Sequence, residues 1–152
     1  MQLSKNLSLR EATKSITALR LGIDNTPEEY EIKNLERIAY GVFQPLRDHF
    51  DTPIAVTSGY RSKELNEAIG GSRYSQHITG EALDLDAHVY GGVSNAELFE
   101  FIATRLEFDQ LIWEFGDDEE PEWVHVSLKR DENRGRKLKA VREDGRVTYI
   151  VL

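Results

Sequence analysis

Ile32, Leu35, Ile38, Ala39, Val42, Phe43, Leu46 and Phe50 recur three and four residues apart, which puts them on one face of a helix about five turns long. A stripe this continuous has to be covered by other apolar surface, so the rest of the chain must bring that surface to it. Thr26-Pro27-Glu28-Glu29 reads as the capping box that opens the helix, with Pro27 at the first helical position, where its missing N–H costs nothing. Pro45 predicts a kink, and Gly41, one turn earlier, eases the clash of the proline ring with that residue's carbonyl.

Around this helix the periodicity changes repeatedly. Ser8-Leu9-Arg10-Glu11 is a second capping box, followed by Leu9, Ala12, Ile16 and Leu19 at helical spacing. Ser62 caps a short helix through Ile69, and Ser94-Asn95-Ala96-Glu97 opens another with Leu98, Phe101, Ile102 and Leu106 inward. Between them, Ile54–Thr57, Ala82–Ala87, Gln110–Phe115 and Trp123–Leu128 read as short strands, and Leu138–Val141 with Val147–Val151 as a hairpin around Asp144-Gly145. Lys129–Lys137 reads as a basic, solvated loop. The sum predicts an α+β fold, a small and mostly antiparallel sheet with helices packed on it. With no linker or repeat, 1–152 is expected to be a single domain, in which a helical stretch over residues 1–50 leads into a motif-bearing core of about 51–152.

Composition removes several classes. A net charge of −8 argues against nucleic-acid binding, which rests on neutralising phosphates with Lys and Arg. The absence of cysteine excludes disulfides and thiolate metal sites. No apolar run approaches the ~20 residues of a membrane span, and the first fifteen residues have no apolar centre that would make them a secretory signal.

Two separated stretches carry chemistry. In Ser75-Gln76-His77-Ile78-Thr79-Gly80-Glu81-Ala82-Leu83-Asp84, a turn at Gly80 can bring His77 and Asp84 to one point; in Glu122-Trp123-Val124-His125-Val126-Ser127, His125 faces away from its two valine neighbours. Two imidazoles, one carboxylate and a position left for water make a catalytic zinc site, and Glu122 supplies a spare acid as general base. Taken singly, each has a plainer reading. His77 is a loop residue, Asp84 a strand-face acid, His125 a hydrogen-bonded strand histidine, and Glu122 one more acid in the run from Asp117. Glu122 reaches the site only if the chain turns after Pro121. Asp86, on the same strand face as Asp84, reads equally as a group that orients a ligand histidine and as a surface carboxylate. His49 complements a helix C-terminus and His88 ends a strand at the surface.

The pattern SGYRS, then SxHxxGxAxD, then ExxHxS resembles the zinc D-alanyl-D-alanine carboxypeptidases and their endopeptidase relatives, the metallopeptidase group that includes lysostaphin and sonic hedgehog. It runs from about Thr57 to Ser127. The resemblance implies one Zn2+ held by His77, Asp84 and His125, with Glu122 as the base for the attacking water. It further implies that Arg61 binds substrate and steadies charge on the attacked carbonyl oxygen, and that Ser75 contacts substrate. The implied activity is hydrolysis of a peptide bond in peptidoglycan stem peptides, of the D-Ala-D-Ala carboxypeptidase type. A stem-peptide endopeptidase and a non-catalytic, zinc-stabilised wall-binding module are the alternatives. The extra histidine that some relatives carry shortly before the base is replaced here by Asp117-Asp118-Glu119-Glu120-Pro121. A monomer is expected, made in the cytoplasm and reaching the wall after release or within a phage particle.

Overall fold

In the computed structural model, which describes residues 1–152, the apolar stripe is carried by two helices joined through one wider turn. Helix α3 (Glu29–Ile38) runs into a π-helical turn (Ala39–Phe43) and then α4 (Gln44–Phe50). The Gln44 amide donates to the Ala39 carbonyl, five residues back. Pro45 cannot donate to Gly41, and the kink takes the form of this widened turn. Gly41 has a further reason to be glycine, because a Cβ there would stand 2.7 Å from Leu128 Cδ2. The helix opens two residues later than the Thr26 box implies. The Thr26 amide donates to the Asp24 side chain instead, and Glu28 is the N-cap, its amide bonded to Glu31.

The chain begins with a two-stranded ribbon, β1 (Gln2–Ser4) and β2 (Leu7–Ser8), followed by α1 (Leu9–Thr13) and α2 (Ile16–Leu21). The Ser8–Glu11 capping box is present, but the expected single amphipathic helix is broken in two, because Ser15 recaps at Ala18. Ile16 and Leu19 therefore point to solvent, and Ala12 and Ala18 are the buried positions.

The remaining elements are β3 (Ala55–Ser58), α5 (Lys63–Ala68), β4 (Ala82–Asp86), a 3-10 turn (Ala87–Val89), α6 (Asn95–Arg105), β5 (Gln110–Glu114), β6 (Trp123–Ser127), β7 (Arg136–Glu143) and β8 (Arg146–Val151). The strands form one sheet in the order β3-β4-β6-β5-β7-β8. All neighbours are antiparallel except β5 and β7, which makes the sheet mixed. The fold is α+β, as predicted. No helix is long and apolar enough to cross a membrane.

Strand alternation separates a packing face from a working face. Leu83 and Leu85 of β4, Val124 and Val126 of β6 and Leu111 of β5 are wholly buried, in the same core as Leu35, Ile38, Val42, Phe43 and Leu46. The intervening residues face the other way in one registered row, Ser58, Asp84, His125, Ile112 and Leu138, on β3, β4, β6, β5 and β7.

Candidate metal centre

The first motif is held in place by the helical amino-terminal segment. The Tyr60 amide donates to the Ala12 carbonyl, and a Cβ at Gly59 would lie 2.2 Å from that same oxygen. Only glycine permits this approach. Asn25 donates to the Thr13 and Tyr60 carbonyls and accepts from the Ser62 amide. At Gly80, with φ of +77°, a Cβ would meet the Glu31 carbonyl at 2.6 Å. Two motif glycines thus seat the loops on α1 and α3 backbone.

The seating aims His77. Its Nδ1 lies 2.6 Å from the Gly59 carbonyl, which only accepts, so Nδ1 carries the proton and Nε2 presents a lone pair. Ser75 Oγ accepts from the His77 amide and fixes the turn. Asp84 Oδ1 lies 3.3 Å from His77 Nε2 and 3.0 Å from His125 Nδ1. One nitrogen from each ring and one carboxylate oxygen all fall within 4.8 Å of one another.

This donor set fits a cation. His77 is 2 % exposed, and burial pushes its pKa down although Asp84 pulls the other way. A neutral ring with Nδ1–H engaged turns a lone pair toward a carboxylate oxygen, an arrangement that a shared positive centre makes favourable. Burial opposes ionisation of Asp84, and the carboxyl is nevertheless held well below the usual range, because positive charge on the facing imidazoles, or on a cation that takes its place between them, outweighs that penalty. Arg61 adds to this, with Nη2 3.5 Å from Asp84 Oδ2, Nε donating to Ser58 Oγ and Nη1 to Asn66 Oδ1. The nitrogen and oxygen ligands, two histidines and one carboxylate, suit zinc.

The three ligand candidates, Arg61 and Ser75 line one cleft of about 680 Å³. Glu122 is outside that lining. The chain does bend before β6, yet the Glu122 side chain is 50 % exposed and drawn to Arg142, with its oxygen 3.6 Å from the guanidinium. The acid that faces the cleft is Glu114, on β5 opposite Trp123 and diagonal to His125. Burial pushes its carboxyl up to about 7, with His125 drawing it back and Asp84 adding to the rise. A sequence signal for it existed: an acid at the end of an apolar strand, two residues from Ile112, shares that residue's face. Asp86 also departs from expectation. It accepts from the His88 amide and from Asn95, and His88 bridges to Glu120 at the surface. The group that orients a ligand histidine is the Gly59 carbonyl.

Asp109 is the unexpected organiser of the cleft's far end. Its side chain is fully buried and accepts from the Arg134 amide, Nε and Nη2 and from Gln76 Nε2. It therefore ties the loop bearing His77 to the loop after β6. Burial works against its ionisation, but these donors hold the carboxyl at about 2. Asp109→Ala is expected to cost about 2–4 kcal/mol of stability, since it strands Arg134 and Gln76 without their acceptor. A carboxyl depressed below its ordinary 3.8 stabilises above about pH 4, and the contribution is lost as pH falls toward 2. Denaturant titrations of both proteins across that range should therefore converge on acidification.

One cleft on the sheet face gathers two histidines and an aspartate that could hold a metal ion, with a buried glutamate beside them, which is the ligand set and spare acid that metal-assisted hydrolysis requires. A sequence model of the peptidase M15 family matches residues 5–127. The chain belongs to that family, and it is a metallopeptidase of the zinc-dependent, D-Ala-D-Ala carboxypeptidase-like class. Comparison with individual curated proteins gives no match.

Proposed function

We propose that the chain is a zinc D-Ala-D-Ala carboxypeptidase acting on peptidoglycan stem peptides, with residues 1–152 working as one domain and as a monomer. The observation that carries the choice of bond is the asymmetry of the cleft. Beside Asp84 the lining is Arg61 with the loop residues Ser72, Tyr74 and Ser75, whereas along the sheet the cleft continues over Ile112, Glu114, Leu138 and Tyr149. A short departing group beside Arg61 and a longer acyl portion along the sheet match a peptide losing its last residue.

His77 Nε2, Asp84 and His125 Nδ1 would hold one zinc ion. When bound, it supplies Lewis acidity to the scissile carbonyl and makes a water acidic enough to be a nucleophile at neutral pH. Glu114 takes the role that the ExxH spacing assigned to Glu122, receiving the water's proton and delivering it to the departing amine. A carboxyl near neutrality is suited to both transfers. Arg61, held by Ser58 and Asn66, offers its remaining donor capacity to the terminal carboxylate or the developing oxyanion. Ser75, at the turn that places His77, contacts substrate from the rim. Release by lysis or carriage on a phage particle brings the protein to the wall.

Zinc-loaded protein should release free D-alanine from a D-Ala-D-Ala-terminated stem pentapeptide, leaving the tetrapeptide. Mass spectrometry of the products decides the point. Fragments cut inside the stem, with no free alanine, would make the protein an endopeptidase, and no cleavage of any stem peptide would overturn the stem-peptide substrate.

A further inference from the structure

The cleft extends past the segment that defines the family. Lys129, Arg134, Arg136, Leu138 and Tyr149 line it, and all lie beyond residue 127. Strand β7 runs parallel beside β5, registering Arg136 with Gln110 and Leu138 with Ile112. Registered neighbours share a face, so Arg136 and Leu138 stand on the same side of the sheet as His125.

The charge there runs against the rest of the molecule. The chain carries a net −8, yet this end of the cleft sets three cations, Lys129, Arg134 and Arg136, against one carboxylate, Asp109. Asp109 is already engaged by Arg134, at 2.7 Å, with Lys129 3.6 Å away. Arg136 is exposed and has no acidic partner at ion-pair distance. A guanidinium that nothing in the fold neutralises, at the mouth of a substrate cleft, offers its planar pair of donors to a carboxylate from outside.

Its distance from the chemistry can be counted along the sheet. From His125 to Arg136 is two strands across, at ~4.8 Å each, and two residues along, at ~3.4 Å each, or roughly 12 Å between backbone positions. After side-chain reach, that is about two or three residues of extended peptide.

We propose that Arg136 forms a carboxylate-binding subsite that selects acidic peptides with a free carboxylate two or three residues ahead of the cleaved bond. The subsite lies on the acyl side, opposite Arg61, and rests on the peptidase reading above. In a stem peptide the group of that chemistry is the α-carboxylate left free by a γ-linked acidic residue, and its amidation would remove the contact.

The test uses the zinc-loaded full chain and two product-like tetrapeptides, which differ only in carrying that α-carboxylate or the corresponding carboxamide. Calorimetry should show the carboxylate form binding roughly tenfold tighter or more, a typical margin for a charged hydrogen-bonded pair. Arg136→Gln should bring the ratio of the two dissociation constants close to one, and Arg136→Lys should restore part of it. Equal binding of both peptides to the unaltered protein, or a ratio that survives Arg136→Gln, overturns the subsite. Turnover of the parent pentapeptide is followed in parallel. Cleavage without discrimination removes the subsite alone, and discrimination without release of the terminal alanine removes the carboxypeptidase reading and leaves the carboxylate contact at Arg136 standing.

Discussion

Glu114→Gln is expected to lower kcat on a D-Ala-D-Ala-terminated peptide by about 10²–10⁴-fold, the range for losing a general acid–base group. Zinc content should be unchanged. Glu122→Gln should stay within about threefold of the unaltered protein, because an exposed pair with Arg142 contributes little. The two variants differ in place, one carboxylate buried on the cleft wall and the other half exposed outside it. The opposite ranking, with Glu122→Gln inactive and Glu114→Gln active, would return the base to Glu122.

The same substitution has a signature in the metal-free protein that activity cannot mimic. The Glu114 carboxyl is raised from its ordinary 4.5 to about 7, so the folded state holds its proton where the unfolded chain releases it. Stability from this group is full below about pH 4.5 and is lost as pH climbs through 7. Two and a half pKa units correspond to roughly 3 kcal/mol at most. Glu114→Gln should therefore be the more stable metal-free protein at pH 8, with the advantage vanishing near pH 4. Equal melting temperatures at pH 8 would contradict the burial that makes Glu114 a credible base.

Asp84→Ala is expected to abolish stoichiometric zinc binding and to reduce activity by at least about 10³-fold, since it removes one of three ligands and leaves the two imidazoles without the oxygen they share. Thermal scans with and without zinc provide an independent readout. The unaltered protein should be stabilised by the metal according to its concentration over the dissociation constant, and the variant should show no shift. A variant that still binds one equivalent of zinc would mean that the His77, Asp84 and His125 cluster is a hydrogen-bonded polar group and that the metal sits elsewhere.

Much of the fold was legible because its signals are local. The stripe from Ile32 to Phe50, the Ser8 and Ser94 caps and the alternation of Leu83 and Leu85 with Asp84 and Asp86 all concern residues a few positions apart. Backbone geometry alone decides which face such residues share. The structure departs from the sequence pattern where a local signal has two solutions. Ser15 competes with Ser8 as a cap and splits the first helix, and Glu28 displaces Thr26 at the start of α3. The parallel pairing of β5 with β7 has no local signature at all, because it joins strands separated by β6 and a long loop.

The candidate site divides along the same line. His77, Asp84 and His125 are written into spaced motifs, and their convergence follows once β4 and β6 pair in register. By itself the chain determined which side chains were available for a cation, that no thiolate could be among them, and that helices had to pack on a small sheet. The folded arrangement alone decided which glutamate faces the cleft, that Asp109 joins two loops, and that Arg136 arrives without a partner. Each of these depends on which distant strand lies alongside, and hydrogen-bonded pairing across a sheet depends on the packing of the whole core, which spacing along the chain does not encode.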